Sequence, residues 1–201
     1  MDSAQTQLLV AFGANQPHGA LSPAELVTAA AQALGVRLGA EVRLSALYRT
    51  PCFPAGAGPD YVNAAALVLA PGIIAPDAAL QTLHKIEARF GRERRVRWGA
   101  RTLDIDLLGI GETVLPDRVE QARWRNLPPE DQARLTPDRL ILPHPRLQDR
   151  AFVLVPLADV AADWRHPVLG KNVAEMLAAL PDAARAEVVQ LPLLRPPVAS
   201  G

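Results

Sequence analysis

Thr102-Leu103-Asp104-Ile105-Asp106-Leu107 is the stretch on which the fold turns. Apolar and acidic residues alternate, the period of a strand with one face in a core. Leu103, Ile105 and Leu107 then enter the interior together, and Asp104 and Asp106 project from the opposite face. Alternate residues on a strand have Cα atoms about 7 Å apart. Two carboxylates at that spacing repel by about 2 kcal/mol at an effective dielectric of about 20. A divalent cation turns the repulsion into attraction. A site with only two protein carboxylates suits magnesium, which keeps waters and takes phosphate oxygens as further ligands. The alternative is a solvated strand face with two ordinary aspartates.

Immediately upstream, Arg89, Arg92, Arg94, Arg95, Arg97 and Arg101 crowd a helix end and a loop, with Gly91 and Gly99 among them. Guanidinium groups bind phosphate oxygens through paired hydrogen bonds and stay charged. Phosphoryl transfer needs charge neutralisation and alignment more than covalent help. The segment also fits a solvated basic loop or a nucleic-acid backbone contact. Neither G-x-x-x-x-G-K-[ST] nor G-x-G-x-x-G occurs in the chain, which argues against the two commonest nucleotide-binding designs.

Working outward, Leu8-Leu9-Val10-Ala11-Phe12 reads as a buried strand ending at Gly13. Ser22-Pro23-Ala24-Glu25 is a capping box with proline at the first helical position, opening a helix expected to stop at Gly35. Val42 to Tyr48 alternates and breaks at Pro51; 54–59 is a loop; Tyr61 to Leu69 is another strand. Pro76 opens a second helix, with Leu80, Leu83, Ile86 and Phe90 at helical spacing before Gly91. The strand of Asp104 and Asp106 follows, over Leu103 to Leu108. Residues 117–138, polar and proline-bearing, read as an insertion. Leu140-Ile141-Leu142 reads as a short strand, Phe152 to Val160 and Val173 to Leu180 as helices, and the tail from Pro181 as frayed.

The order β-α-β-β-α-β predicts an α+β protein, a ferredoxin-like α/β sandwich whose mainly antiparallel sheet has helices packed on one face. With 201 residues, one domain over 1–201 buries roughly 70% of its unfolded surface and needs no staples. The single cysteine, Cys52, excludes an internal disulfide and fits a reducing cytoplasm. Neither a long apolar run nor a signal-peptide pattern is present, so no membrane association is expected. A formal net charge of zero argues against nucleic acid as a partner.

Taken together the motifs resemble the 6-hydroxymethyl-7,8-dihydropterin pyrophosphokinase family. The resemblance rests on Arg97-Trp98-Gly99-Ala100-Arg101-Thr102-Leu103-Asp104-Ile105-Asp106, and on Phe12-Gly13-Ala14-Asn15, Tyr48-Arg49-Thr50-Pro51, Tyr61-Val62-Asn63-Ala64, Ile86-Glu87 with Gly91-Arg92, Leu142-Pro143-His144-Pro145 and Arg150-Ala151-Phe152, in that family's order. It implies a ferredoxin-like fold, ATP as co-substrate, two magnesium ions, and transfer of a diphosphate from ATP to a pterin alcohol in folate synthesis. It implies that Asp104 and Asp106 hold both ions and that Arg92 and Arg101 steady the transferring phosphates. Tyr61 and Phe152 would sandwich the pterin ring, and Asn63 would bond its polar edge, with Thr50, Cys52 and Phe53 around it. Glu87, Arg97, Trp98, Ile105, Arg139, His144 and Arg150 would lie on the ATP side, Trp98 on a loop that closes over both substrates. Each pterin-site aromatic could instead be core, Glu87 could be structural, and His144 could be a turn residue satisfied by backbone.

The sequence departs from the family pattern at Ala14, Cys52-Phe53, Pro145 and the 117–138 insertion, whose Arg123-Trp124-Arg125 looks exposed. A monomer is expected. The competing readings are another two-metal nucleotidyl-transfer enzyme on the same fold, which would need no heterocycle pocket, and a non-catalytic RNA-binding sheet.

Overall fold

The computed structural model describes residues 5–52, 56, 58–91 and 102–192. Its strands are β1 (Gln5–Ala14), β2 (Glu41–Leu44), β3 (Tyr48–Thr50), β4 (Tyr61–Pro71), β5 (Asp104–Ile110) and β6 (Val189–Gln190). Its helices are α1 (Pro23–Leu38), α2 (Pro76–Arg89), α3 (Arg118–Arg125), α4 (Pro129–Arg134), α5 (Ala151–Ala161), α6 (Val173–Ala178) and α7 (Asp182–Ala186). The sheet order is β5-β1-β4-β3-β6, with β2 also paired to β4, and every pair of named strands is antiparallel. This is the α+β arrangement expected from the element order.

β1 and β4 are central, which explains their near-continuous apolar runs: both faces are covered. On one face Leu8, Val10, Phe12, Ala64, Ala66 and Val68 meet Leu26, Ala30 and Leu34 of α1 and Leu83 and Ile86 of α2. On the other, Leu9, Ala65, Leu67 and Leu108 meet Val153, Leu154 and Leu157 of α5, with Val173, Met176 and Trp164 beyond. Helices therefore lie on both faces, not one. The expectation failed because the second layer comes from the chain after the β-α-β-β-α-β unit.

Other differences have local causes. α1 runs through Gly35 to a left-handed cap at Gly39. Gly35 is needed for proximity instead: a Cβ there would lie 3.1 Å from Val42 Cγ2 and 3.2 Å from the Ala40 carbonyl. The strand expected over 42–48 is split into β2 and β3 because Ser45 Oγ accepts the Ala65 N–H at 3.0 Å and Ala46 N–H donates to Asp159 at 3.1 Å. Leu142 forms only an isolated bridge with Leu115. The tail does not fray before residue 192: α7 leads into β6, which pairs with β3.

The 117–138 segment carries α3 and α4. Asp117 caps α3 by accepting from Val119 and Glu120 N–H at 2.8 and 2.9 Å. Gln121, fully buried, donates to the Pro143 carbonyl at 3.2 Å. Trp124 is half-buried, its indole N–H donating to Glu120 at 2.9 Å. No helix among the described residues is long and apolar enough to cross a membrane.

Candidate active site

Strand register sets the geometry. Asp104 stands opposite Gly13, Gly13 opposite Asn63, and Asn63 opposite Tyr48, so these residues form one row across four strands. The next row is Asp106, Ala11 and Ala65. Both rows lie on the face carrying Leu9, Ala65 and Leu67, while Leu103, Ile105 and Leu107 fill the opposite core. The alternation foreseen for the carboxylate strand is therefore present. A bulge between the Leu9 and Val10 pairings restores the register further along β5.

Asp104 and Asn63 are two strand spacings apart, about 10 Å, with only the hydrogen of Gly13 between them. A Cβ at Gly13 would come within 3.2 Å of Asn63 Oδ1. The result is a trench with carboxylates on one bank and an amide on the other. α5 covers the neighbouring row. Arg150, just ahead of α5, pairs with Asp106 at 3.6 Å. Asp159, near its far end, accepts from Tyr48 Oη at 2.9 and 3.1 Å. Burial and the Asp159 carboxylate push the Tyr48 phenol up to about 12. Nine residues of helix rise about 13.5 Å, close to the three strand spacings, about 14 Å, from β5 to β3. The helix thus spans the sheet from β5 to β3.

The amide bank is preorganised. Asn63, buried, donates from Nδ2 to Thr50 Oγ1 at 2.7 Å. Thr50 stands opposite Tyr61, and Tyr61 shares the face of Asn63 two residues away. Cys52, half-buried, is a free thiol. Phe152, in the first turn of α5, is 39% exposed, with the Arg150 guanidinium 5.6 Å from its ring centre. An exposed ring of this size beside a cation is not a core aromatic, and it is available for stacking.

The carboxylate bank is faced by cations. Burial and the neighbouring Arg146 charge push the Arg150 pKa down, opposed by Asp106 and Asp104. His144 is held near Asp104 by its own N–H, which donates at 2.8 Å to the carbonyl of the bulge residue Leu108. Burial, then Arg150 and Arg146, push the His144 pKa down to about 3, so the imidazole is neutral. Its Nδ1 accepts from the Arg146 N–H at 3.1 Å, which places the proton on Nε2. His144 is thus a fixed neutral donor, whose turn hydrogen bonds use the ring edge away from Nε2.

Other expected residues are placed differently. Glu87 is 1% exposed, and its Oε1 accepts the Ile105 N–H at 2.9 Å, occupying a donor on edge strand β5 and blunting that edge. The Ile105 side chain lies in the core, so neither it nor its N–H is offered to a ligand. Arg139 is exposed and pairs with Asp138 at 3.2 Å, on the side of Glu120 and Asp117; no described contact joins it to the carboxylate pair. Arg92, Arg97, Trp98, Arg101 and Phe53 lie outside the described residues. Sequence reasoning did not single out Gly13 as the trench floor or the Tyr48–Asp159 tie. Only the alternation Leu9, Ala11, Gly13 pointed to the first, and nothing local to the second.

Among the described residues no group of three or more His, Cys, Asp or Glu gathers to hold a metal. The donor set at the trench is the carboxylate pair, two hard oxygen ligands on one face, which fits a magnesium ion completed by waters and phosphate oxygens.

The molecule is thus an antiparallel α+β sandwich with paired carboxylates, a half-buried arginine and a glycine-floored row on one sheet face. Residues 9–162 match the family described as 7,8-dihydro-6-hydroxymethylpterin-pyrophosphokinase (HPPK), and the chain belongs to that family. It is 39% identical over 145 residues to the 2-amino-4-hydroxy-6-hydroxymethyldihydropteridine pyrophosphokinase of Synechocystis, covering 72% of this chain and 63% of that one. To the enzyme of the same name from Methylorubrum extorquens it is 33% identical over 175 residues, covering 87% and 94%. The fold also matches wild-type Plasmodium falciparum HPPK-DHPS, with a TM-score of 0.59, 13% identity, and coverage of 88% of this chain and 45% of that chain. The match thus spans less than two thirds of the Synechocystis relative and less than half of the solved chain.

Proposed function

We propose that the chain carries out the reaction for which its family is named: transfer of the β,γ-diphosphate of ATP to the hydroxymethyl oxygen of 6-hydroxymethyl-7,8-dihydropterin. The alcohol oxygen forms a bond to the β-phosphorus and the bond from that phosphorus to the α,β-bridging oxygen breaks. AMP leaves with that oxygen, and the alcohol proton is released. The observation that carries this reading is the row Asp104–Gly13–Asn63, which puts an acidic bank and an amide bank on either side of one trench.

On the amide bank, Asn63 bonds the polar edge of the ring, with Thr50 fixing the orientation of its amide. Tyr61 and Phe152 supply aromatic faces and Cys52 a flanking wall, while Phe53 is assigned to the pterin by the family motif alone. On the other bank, Arg150 and the Nε2–H of His144 hold phosphate oxygens, and Glu87 positions the carboxylate strand through Ile105. Asp104 and Asp106 would hold magnesium, which when bound neutralises the diphosphate charge. By the family motif alone, Arg92 and Arg101 are assigned to the transferring phosphates, Arg97 to the nucleotide and Trp98 to a loop over both substrates. Positioning of the alcohol in line with the β-phosphorus, not proton abstraction, carries the rate. One copy of the chain supplies both banks, so a monomer suffices.

Incubation with Mg–ATP and the hydroxymethyl dihydropterin should release AMP only when the pterin is present. ADP or inorganic diphosphate as the sole product would refute the assignment.

A further inference from the structure

Asn15 follows the last residue of β1 and continues the alternation on the side of Gly13, since Ala14 enters the opposite core. Ala14 stands opposite Val62, so Asn15 falls beside Tyr61, at the amide end of the trench. Its side chain is almost sealed, with 4% of the residue exposed. Nδ2 donates to the Pro59 carbonyl at 3.3 Å, while Oδ1 is buried and has no hydrogen-bond partner. Turning the amide over would set Oδ1 against that carbonyl, two acceptors face to face, so the orientation is fixed by the donor requirement.

The surroundings tie this orphan acceptor to the trench. A Cβ built on Gly58 would lie 4.0 Å from Asn15 Nδ2 and 3.7 Å from Cys52 Sγ, so Asn15, Gly58 and Cys52 form one wall. Thr50, two residues before Cys52, holds Asn63. Buried acceptors are rarely left unpaired, and one left open beside a substrate slot calls for a donor from the ligand.

We infer that Asn15 Oδ1 accepts an N–H of the bound heterocycle, making Asn15 a second amide that selects a ring with an amino or protonated-nitrogen edge. This rests on the pterin reading above. Asn63 and Asn15 then divide the recognition of that edge: one is positioned by Thr50, the other by Pro59.

The test is a titration of the full chain with 6-hydroxymethylpterin in the presence of an unreactive Mg–ATP analogue. Asn15→Ala removes the acceptor and should weaken pterin affinity about tenfold, with affinity for the analogue unchanged. Asn15→Asp keeps an acceptor oxygen but loses the donor to Pro59, and should stay within about threefold of the parent. Unchanged affinity in Asn15→Ala would overturn the inference. So would an equal loss in both variants, because the residue would then act only by holding the Pro59 segment. If Asn15→Ala does not fold, the Asp variant alone decides, a tenfold loss counting against. Parent protein that releases AMP with the pterin while Asn15→Ala binds normally sinks this inference alone; parent protein that releases none sinks the pterin reading with it.

Discussion

The two faces of the sheet are built from the same strands and differ in what covers them. One is closed along its length by α1 and α2 and is apolar throughout, from Leu8 and Phe12 to Leu34 and Ile86. The other is closed by α5 and α6 only as far as the row of Ala11 and Ala65. Beyond that row it carries Asp104, Gly13 and Asn63. The first face supplies stability, because apolar burial is the dominant favourable term in folding. The second gives up part of that burial and carries polar groups in its place. The dividing element is α5, tied to β5 by Arg150 and Asp106 and to β3 by Asp159 and Tyr48.

Substitutions on the two sides should therefore separate activity from stability. The largest effect is expected from Asp106→Ala, which should lower turnover by about 10³-fold and abolish tight Mn²⁺ binding while the melting temperature stays within a few degrees. Its partner Arg150 is partly exposed, and such ion pairs add little stability. Activity within a few-fold of the parent would remove the carboxylates from the site. Leu154→Ala, under α5, should do the reverse, costing about 2–5 kcal/mol in denaturant unfolding with the pterin affinity of the folded fraction unchanged. Gly13→Ala fills the trench floor and should weaken pterin binding by about 1–3 kcal/mol through overpacking against Asn63, measurable by calorimetry. Phe152→Ala should cost about 1 kcal/mol of pterin affinity through lost stacking and little stability, since the ring is already exposed. An unchanged affinity would return Phe152 to a structural role.

The smallest effect concerns pH. His144 is held neutral in the folded chain, its pKa pushed from 6.5 to about 3, whereas the unfolded chain takes up the proton near 6.5. The unfolded state then binds more protons between these values, so stability is full above pH 6.5 and is lost as pH falls toward 3. His166, fully buried and lowered to about 4 mainly by burial, acts in the same direction. His144→Gln should make this acid dependence shallower without removing it; an unchanged slope would mean that His144 is not held neutral.

Much of this was legible in the chain. Strand alternation placed Asp104 and Asp106 together opposite Leu103 and Ile105, and the capping box at Ser22 marked where α1 begins. What escaped depended on contacts distant in sequence. Gly35 resembles a helix stop because proximity to Val42 leaves no local trace. The bond of the Glu87 carboxylate to the Ile105 N–H and the pairing of Arg139 with Asp138 show only in the folded chain. The trench itself appears only when register sets Gly13 between Asp104 and Asn63, since no single strand contains it. Helices α3 and α4 of the insertion escaped because its anchor, Gln121, buries an amide and not an apolar side chain.

The central claim is that both substrates meet across Gly13, and proton relaxation measures it directly. With Mn²⁺ and an unreactive ATP analogue bound, the hydroxymethyl protons of bound 6-hydroxymethylpterin should relax as expected for a metal within about 10 Å, the spacing of the two banks. Asp106→Ala should abolish the effect. Relaxation no faster than with a diamagnetic ion, while the pterin remains bound, would contradict the account.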